Sequence, residues 1–378
     1  MMTLFAKRPP LDHIPRDILC AQDYEALAGH FIDAPAHAYI AGGCGSDVTV
    51  AANRAAFARR QVVPRLLRDV TGGHTRLSLF GQSLAHPLLL APVAYQTMVH
   101  PLGERETARA AAATDTPLVL STLATSTLEQ IAQVPGLQGW FQLYFQPERA
   151  ATLDLVRRAE AAGYRVLVVT LDATIKTPSL SAVRAGFTMP ADIVAANLAA
   201  YPVPAAIALQ PGESRIFQGA MREAPTLDDL AWLMHETRLP VVVKGVQHPA
   251  DARLLQDMGV AGLVVSNHGG RALDGAPASL DTLPAIRRAV GEAFPLLFDS
   301  GIRSGSDVFK AIALGADAVL IGRLQVYALA VAGALGVAHL LKLLREELEL
   351  CMAQAGCATL AEIGPDSIFA EKDEVRSC

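Results

Sequence analysis

The segment VSNHGGRALDG, residues 265–275, places an imidazole and a guanidinium three positions apart, directly after an apolar run. The imidazole of His268 can exchange a proton near neutral pH, and the guanidinium of Arg271 can bind a carboxylate through two parallel hydrogen bonds. Two glycines lie between them, and glycine lets a backbone and a ligand approach closely. A base and a cation at this spacing, at the end of an apolar run, raise the question of which ligand the two side chains would contact together.

The elements that position these residues alternate along the chain. From residue 88 onward, short apolar runs are separated by segments with helical periodicity, several of which end in glycine. The runs are LLLAP (88–92), PLVLS (117–121), WFQLYF (140–145), VLVVTLD (166–172), VVVKG (241–245), GLVVSN (262–267), PLLFDS (295–300) and AVLIGR (318–323). Eight such repeats predict an α/β fold of the (β/α)8 TIM barrel class. A doubly wound sheet is the competing architecture, but the glycines at 42, 43 and 45 follow no strand, as a dinucleotide fingerprint requires.

We expect residues 1–378 to form a single domain with a helical preface (1–87) and a barrel (88–360). A short β element is predicted near residues 77–84. Residues 173–225, after the fourth strand, show no clear element. A connection of that length inside a compact domain usually serves function as a lid or a docking loop.

Active sites of such barrels form at the C-terminal ends of the strands, so the residues that close each strand are the candidates. These are Ser121, Gln142, Tyr144, Thr170, Asp172, Lys244, His268, Arg271, Asp299, Arg303, Gly322 and Arg323. Any one of them alone is more readily a satisfied polar group or a helix cap. Because eight strands deliver them to one mouth, together they predict a site for a charged ligand.

The last two loops, DSGIRSGSD and GADAVLIGR, have the composition of a phosphate-binding site. Glycines let backbone N–H groups approach an anion, a helix beginning near Ser304 would offer its positive end, and two arginines add charge. The residues concerned are Gly301, Arg303, Gly305, Gly322 and Arg323. A pair of ordinary tight turns would explain the glycines but not both arginines.

Composition excludes several classes of function. A net charge of −5 argues against a nucleic-acid binder, which needs clustered Lys and Arg. Five scattered cysteines without a CxxC pair indicate reduced thiols and imply no metal site. The N-terminus lacks the apolar core of an export signal, and the apolar stretch 327–341 is better explained as a packed helix than as a membrane span. We therefore expect a cytoplasmic protein without a transmembrane segment.

Residues 80–360 resemble the FMN-dependent 2-hydroxy-acid oxidase and dehydrogenase family, which includes glycolate oxidase, lactate oxidase and mandelate dehydrogenase. The resemblance is carried by SNHGGRALDGAPASLDTLPAI, APVAYQ, FQLYF, VVVKG, DSGIRSG and REELELCMAQAGC. It implies a TIM barrel that binds FMN, oxidises an L-2-hydroxy acid to a 2-oxo acid and passes the electrons to O2 or another acceptor. It also implies assembly as a homotetramer or higher oligomer.

The resemblance implies catalytic roles for residues at the strand ends. His268 would remove a proton from the substrate, and Asp172 would orient that imidazole and stabilise its protonated form. Lys244 would lie near flavin N1 and O2, where negative charge grows on reduction. Tyr144 would face the substrate hydroxyl.

The resemblance also implies binding residues. Arg271 and Tyr24 would contact the substrate carboxylate, and Leu123, where glycolate oxidases carry a large aromatic residue, would leave room for a substrate bulkier than glycolate. The residues expected to bind the flavin are Pro92, Val93, Ala94, Ser121, Gln142, Thr170, Lys244, Ser266, Asp299, Gly301, Arg303, Gly322 and Arg323.

One position departs from the family. Where the family has a second substrate-binding arginine, seven residues after the strand-four aspartate, this chain has Ser179. Hydrogen bonds to charged groups contribute roughly 1.5 to 3 kcal/mol each, so the loss of one guanidinium has to be offset or the substrate differs. Lys176 or Arg184 reaching the carboxylate, a bulkier substrate, and weak activity on simple 2-hydroxy acids all remain open.

Three functions remain open at this stage. The first is an oxidase that uses O2. The second is a dehydrogenase that passes electrons to a quinone or another carrier, for which the apolar segment 197–209 would provide peripheral membrane contact. The third, suggested by Ser179, is a flavin-binding protein with little activity on hydroxy acids.

Overall fold

The computed structural model describes residues 8–175, 177–203 and 207–369, and its centre is a closed barrel of eight parallel strands. The barrel strands are β4 Leu88–Leu90, β5 Leu118–Ser121, β6 Gly139–Leu143, β7 Leu167–Thr170, β8 Val241–Val246, β9 Gly262–Val265, β10 Leu296–Phe298 and β11 Ala318–Ile321. They pair in sequence order, and β11 closes the barrel by pairing with β4. Each strand overlaps one of the eight apolar runs and extends beyond it by at most one residue, so the TIM barrel prediction is confirmed.

The barrel interior consists of an apolar layer with a polar layer above it. Val119, Trp140, Val168, Val242 and Leu297 belong to one buried cluster inside the barrel. Because side chains alternate along a strand, the next inward position on each of these strands lies two residues later, toward the C-terminal end. Those positions are Ser121, Gln142, Thr170, Lys244 and Asp299. The strand period thus directs this polar set toward one mouth of the barrel.

A hairpin closes the opposite mouth. Strands β2 Leu77–Leu79 and β3 Gln82–Leu84 pair antiparallel, and the Phe80 ring at the turn meets Trp140 edge to face at 5.4 Å. A Cβ on Gly262, the first residue of β9, would lie 3.0 Å from the Phe80 ring. This confirms the predicted β element near residues 77–84 and leaves the C-terminal mouth for a ligand.

Helices cover the outside of the barrel and form the preface. They begin at polar caps such as Thr226 and Ser304, whose side chains accept backbone N–H groups, and several end at a left-handed glycine such as Gly356. The helices are α1 Ala21–Ala28, α2 Ala34–Ala41, α3 Val48–Ala58, α4 Gly103–Ala113, α5 Leu128–Ala132, α6 Arg149–Ala161, α7 Leu180–Arg184, α8 Leu227–Glu236, α9 Pro249–Asp257, α10 Ser279–Val290, α11 Gly305–Ala313 and α12 Arg323–Ala355. A short pairing of β1 Gln61–Val62 with β12 Ile368–Phe369 joins the end of the preface to the C-terminal region.

The apolar stretch 327–341 lies in helix α12. Within the part of the chain that the structure describes, α12 is the helix with the length and hydropathy of a membrane span, but 78% of its most apolar window is buried inside the protein. The helix is interrupted at Ala332 and Gly333, whose backbone angles are not helical. Helix α1 packs against it, so the prediction of a packed core helix is confirmed.

The long connection after β7 is more ordered than the sequence suggests. It contains α7 and short turns of 3₁₀ and π type at Ala196–Leu198 and Arg215–Ala220, so the expectation of no clear element is wrong for the described part. Asn197 is fully buried and donates to the carbonyls of Ser121 and Thr122 at 3.4 and 3.3 Å. The middle of this connection is therefore fixed to the end of β5.

The loop after β9 has three consecutive residues with positive φ: His268 (+59°), Gly269 (+64°) and Gly270 (+78°). The sequence suggested that the two glycines make room for a substrate, but packing within the protein already requires glycine at both positions. A Cβ on Gly269 would lie 2.7 Å from an Arg323 nitrogen, and one on Gly270 would lie 2.8 Å from the backbone nitrogen of Val50. The glycines let helix α3 and Arg323 pack against this loop.

We predict that Gly270→Ala destabilises the fold far more than Gly275→Ala. Both glycines have positive φ, but a Cβ on Gly275 meets nothing within 4 Å. The control Gly275→Ala should lose about 1 kcal/mol of stability because alanine is strained at positive φ. Gly270→Ala also introduces a clash with the backbone and should lose about 3 kcal/mol more. Urea unfolding of the two variants measures the difference. Equal losses would contradict the packing role of this loop.

Candidate active site

A deep pocket opens at the C-terminal ends of the barrel strands, with a volume of about 1270 Å³ including its mouth. It brings together most of the residues predicted from the sequence. These are Pro92, Val93, Ala94, Ser121, Leu123, Tyr144, Thr170, Lys244, His268, Arg271, Asp299, Gly301, Arg303, Gly322 and Arg323. Residues far apart in the chain thus line one cavity, as the strand-end argument predicted.

A buried ammonium lies at the bottom of this pocket. Lys244 is 3% exposed, and its Nζ lies 3.0 Å from Asp299 Oδ2 and donates to Ser266 Oγ at 2.8 Å. Burial alone would lower the pKa of Lys244, but the carboxylates of Asp299 and Asp172 hold it above its usual range. The lysine is therefore a permanent cation in the floor of the site.

A carboxylate and an imidazole form a pair next to Lys244. Asp172 Oδ1 lies 2.9 Å from His268 Nδ1. Burial would raise the pKa of Asp172, but the charges of His268 and Lys244 hold it below its usual range, so it is an anion at neutral pH. An anion at this distance favours the proton on Nδ1, so a neutral ring carries its lone pair on Nε2. The pair has the geometry of an oriented general base.

The backbone around His268 is strained and held by side chains that the sequence reasoning missed. A non-glycine residue at positive φ is uncommon and marks a constrained site. Asn53 of α3 and Asn267 exchange two buried amide hydrogen bonds of 2.9 and 2.8 Å, and Asn267 Oδ1 also accepts from Gly270 N. Ser266 Oγ accepts from His268 N at 3.0 Å. Ser266 was expected to contact the cofactor, but it does not line the pocket and instead supports Lys244 and His268.

Two buried polar groups on the neighbouring strands β6 and β7 have no partner among the described residues; of the two side chains, Thr170 lines the pocket and Gln142 does not. These are Nε2 of Gln142 and Oγ1 of Thr170, although Gln142 Oε1 accepts from Ser121 Oγ and Thr122 N. Buried polar groups are nearly always hydrogen-bonded, so an unpaired amide and an unpaired hydroxyl at one wall indicate a polar ligand there. Both residues were predicted to bind the edge of a flavin ring, and the orphaned atoms fit that group.

Three arginines line the pocket: Arg271, Arg303 and Arg323. Arg323 donates to the carbonyls of Ile40, Gly269 and Gly42 at 2.8, 2.7 and 2.8 Å. Burial, together with the charges of Arg271 and Arg303, lowers its pKa to about 10. Guanidinium groups that repel one another in one cavity fit anionic ligands such as a phosphate and a carboxylate, whose charges would compensate them.

Part of the predicted phosphate site is already occupied by protein groups. Arg303 donates through Nε and Nη2 to both carboxylate oxygens of Glu25, at 2.7 and 3.1 Å. The N-terminus of α11 was expected to face the anion, but its first N–H, on Gly305, donates to Glu347 at 2.6 Å. That expectation is wrong. The loop Asp299 to Arg303 and the pair Gly322 and Arg323 line the pocket instead.

The guanidinium of Arg271 is anchored on one side. Nη1 donates to the carbonyls of Tyr39 and Gly42 at 2.8 and 3.0 Å, and the guanidinium carbon lies 4.8 Å from the centroid of the Tyr39 ring. Among the described residues, no side chain or carbonyl accepts a hydrogen bond from its Nε or Nη2. Arg271 can therefore present donors to a carboxylate in the pocket.

The assignment of Tyr24 to the substrate is wrong. Its side chain is fully buried between α1 and α12, and its hydroxyl lies 3.0 Å from His339 Nδ1. The tyrosine of the preface that lines the pocket is Tyr39, in the segment AYIAGG at the end of α2. The glycines that follow Tyr39 are the local signal that the chain turns into the site. Tyr144 does line the pocket, and burial raises the pKa of its phenol.

Ser179, in the position of the missing arginine, does not line the pocket and caps α7 by accepting from Ala182 N at 3.4 Å. Arg184 is exposed and also lies outside the set that lines the pocket, so it does not replace that arginine. Lys176, the other candidate, lies outside the described residues. Within the described residues, the arginines that line the pocket are therefore Arg271, Arg303 and Arg323.

Comparisons with known proteins agree with this site. The family of FMN-dependent dehydrogenases matches residues 28–370. The chain is 66% identical to an L-lactate oxidase of Alicycliphilus denitrificans over 95% of this chain and 98% of the relative. It is 44% identical to a 4-hydroxymandelate oxidase of Amycolatopsis orientalis, with 89% and 92% covered.

The solved structures give the same answer. A mandelate oxidase bound to benzoyl-formic acid superposes with a TM-score of 0.84 at 40% identity, covering 93% of this chain and 98% of that one. The resemblance drawn from the sequence motifs is therefore confirmed. The chain belongs to the FMN-dependent dehydrogenase family, and FMN is its cofactor.

Proposed function

We propose that this protein oxidises an L-2-hydroxy acid to the 2-oxo acid with FMN as cofactor and O2 as the electron acceptor. The observation that carries the proposal is the arrangement of one base, one buried cation and one carboxylate-binding guanidinium in a single pocket. His268, Lys244 and Arg271 line that pocket together. The identity to L-lactate oxidases and a 4-hydroxymandelate oxidase supports the same reaction class.

The residues that would hold the cofactor divide into two groups. Gln142 Nε2 and Thr170 Oγ1, which have no partner among the described residues, would hydrogen-bond the polar edge of the ring system, and Lys244 would supply a cation to it. Arg303 and Arg323, with the backbone around Gly301 and Gly322, line the end suited to the phosphate. The backbone of Pro92, Val93 and Ala94 forms the remaining wall. When bound, FMN supplies the two-electron acceptor that no side chain can provide.

The proton and the carboxylate of the substrate are handled by different side chains. His268 takes the proton through Nε2, and the anionic Asp172 at 2.9 Å stabilises the resulting imidazolium. Arg271 binds the carboxylate through donors that the protein leaves available. Lys244 would supply a fixed positive charge to the cofactor, whose reduced form is stabilised by a nearby cation. Tyr144, with its pKa raised by burial, remains a protonated hydrogen-bonding group near the substrate hydroxyl.

The substrate is proposed to be larger than glycolate. Leu123 lines the pocket and is partly buried, and a branched aliphatic side chain leaves more space than a large aromatic one. The L-lactate oxidase relative at 66% identity makes lactate the first substrate to test.

A dehydrogenase that passes electrons to a quinone or another carrier is the second candidate. The observation in its favour is an exposed apolar surface on the connection after β7, where Val194 is 57% and Val203 is 91% exposed. The third candidate, suggested by Ser179, is a flavin-binding protein with little activity on hydroxy acids. A cytoplasmic location, peripheral membrane contact through residues 173–225 and a homotetramer or higher oligomer stay predictions from the sequence.

We predict that Thr170→Val weakens FMN binding without destabilising the flavin-free protein. The Thr170 hydroxyl has no partner among the described residues, so valine of the same shape removes only a group that the cofactor would use. The dissociation constant for FMN should rise about three- to tenfold, corresponding to one hydrogen bond. Quenching of FMN fluorescence measures it.

Thr122→Val is the matched control. The Thr122 hydroxyl donates to Gln142 O at 2.6 Å and accepts from Tyr144 N at 3.1 Å. This variant should lose about 1 to 3 kcal/mol of stability even without flavin. If Thr170→Val destabilised the flavin-free protein equally, the hydroxyl would not be reserved for a ligand.

We predict that L-lactate bleaches the bound flavin under anaerobic conditions and that air restores the colour with one equivalent of hydrogen peroxide. The His268→Ala variant should retain the yellow colour, while the rate of bleaching should fall by about 10²- to 10⁴-fold because the base is lost. Stopped-flow absorbance and a peroxide assay, with a panel that includes mandelate and longer 2-hydroxy acids, measure these quantities.

The outcomes separate the three candidates. Bleaching followed by peroxide supports the oxidase, and bleaching with fast reduction of a quinone analogue but little peroxide supports the dehydrogenase. If no 2-hydroxy acid of the panel bleaches the flavin, the proposed reaction is wrong.

A further inference from the structure

Phe187 lies one layer behind the guanidinium that faces the substrate. Its ring stacks on the ring of Tyr39, with centroids 4.3 Å apart and planes 11° from parallel. The guanidinium carbon of Arg271 lies 4.8 Å from the centroid of the same Tyr39 ring. Tyr39 and Arg271 line the pocket, whereas Phe187 is not among the residues that line it. The Tyr39 ring therefore contacts both the Phe187 ring and the Arg271 guanidinium.

The connection after β7 delivers Phe187 to this position. Helix α7 docks on the loop after α2, where Leu180 N donates to Gly45 O at 3.1 Å. The chain then reverses at Gly186, with φ +73°, and Phe187 N donates to Ala182 O at 3.0 Å. Phe187 is thus fixed by backbone hydrogen bonds to a helix that is itself fixed to the preface.

The absence of a second arginine makes this support consequential. Ser179 caps α7, so the carboxylate contact on this side of the described pocket depends on Arg271. Its guanidinium is anchored to the protein by Nη1 and by the face of the Tyr39 ring. A guanidinium binds a carboxylate well only when its plane is fixed, and stacking on an aromatic face fixes that plane. A ring that backs Tyr39 would therefore set the geometry of carboxylate binding.

We propose that Phe187 is a positioning residue for carboxylate recognition, acting on Arg271 through Tyr39. The proposal rests on the proposed 2-hydroxy-acid oxidation and names a residue that determines substrate affinity in that reaction. Among the described residues, Phe187 is not part of the pocket lining, to which His268, Lys244, Arg303 and Arg323 belong. Its removal should therefore weaken binding of a carboxylate while the chemical step and flavin retention stay unchanged.

The test uses the FMN-loaded protein with Phe187→Ala, and with Phe187→Leu as a variant that keeps apolar volume but not a flat ring. The KM for L-lactate and the dissociation constant for pyruvate, measured from the perturbation of flavin absorbance, should both rise about three- to tenfold, the size of an aromatic contact. We expect kcat and the FMN dissociation constant to stay within about twofold of the unchanged protein. Phe187→Tyr, which keeps a flat ring, should have the KM for L-lactate and the dissociation constant for pyruvate of the unchanged protein.

Val183→Ala is the matched control, because Val183 lies on the same short helix and is 62% exposed. If Phe187→Ala or Phe187→Leu matches this control in both KM and pyruvate binding, the proposal is wrong. The proposal would also be overturned if Phe187→Ala lowered kcat and FMN affinity as much as substrate affinity and Phe187→Tyr behaved in the same way. That result would indicate a general structural role. Failure of the unchanged protein to be bleached by any 2-hydroxy acid would instead overturn the proposed function.

Discussion

The constraint on which the site depends is the charge balance of one buried ammonium. Lys244 is 3% exposed, and an uncompensated ion in such surroundings would give up its proton. Asp299 at 3.0 Å compensates it directly, and Asp172 adds a second negative charge. Asp172 then has a further function, because its carboxylate also orients His268 at 2.9 Å. The Lys244 ammonium thereby helps to keep Asp172 ionised, and the Asp172 carboxylate in turn orients His268.

The barrel supplies this charge balance through its strand order. Strands β7, β8, β9 and β10 are neighbours in the barrel. In that order, they carry Asp172 just after β7, Lys244 within β8, His268 just after β9 and Asp299 just after β10. The inward positions beneath are apolar, so the charges lie in the layer directly above a dry core. The preface completes the site from outside: Asn53 holds the histidine loop, and Tyr39 supports Arg271. A barrel alone would leave both groups without support.

The sequence predicted what depends on local periodicity. Eight apolar runs with polar residues at their ends predicted both the barrel and most of the residues that line its pocket. The errors concern contacts between distant segments. Tyr24 and Tyr39 lie in neighbouring helices with similar surroundings in the sequence, and only the packing against α12 separates the buried tyrosine from the one in the pocket. Gly270 accommodates α3, and the first N–H of α11, on Gly305, donates to Glu347. No local pattern around either glycine identifies such a partner.

The most direct test of this account is the midpoint reduction potential of the bound flavin in the Lys244→Met variant. If the buried ammonium stabilises the negative charge of the reduced cofactor, the potential should fall clearly below that of the unchanged protein. Lys342→Met, which removes a lysine whose side chain is 65% exposed, should leave the potential unchanged. A potential in Lys244→Met equal to that of the unchanged protein would contradict the account.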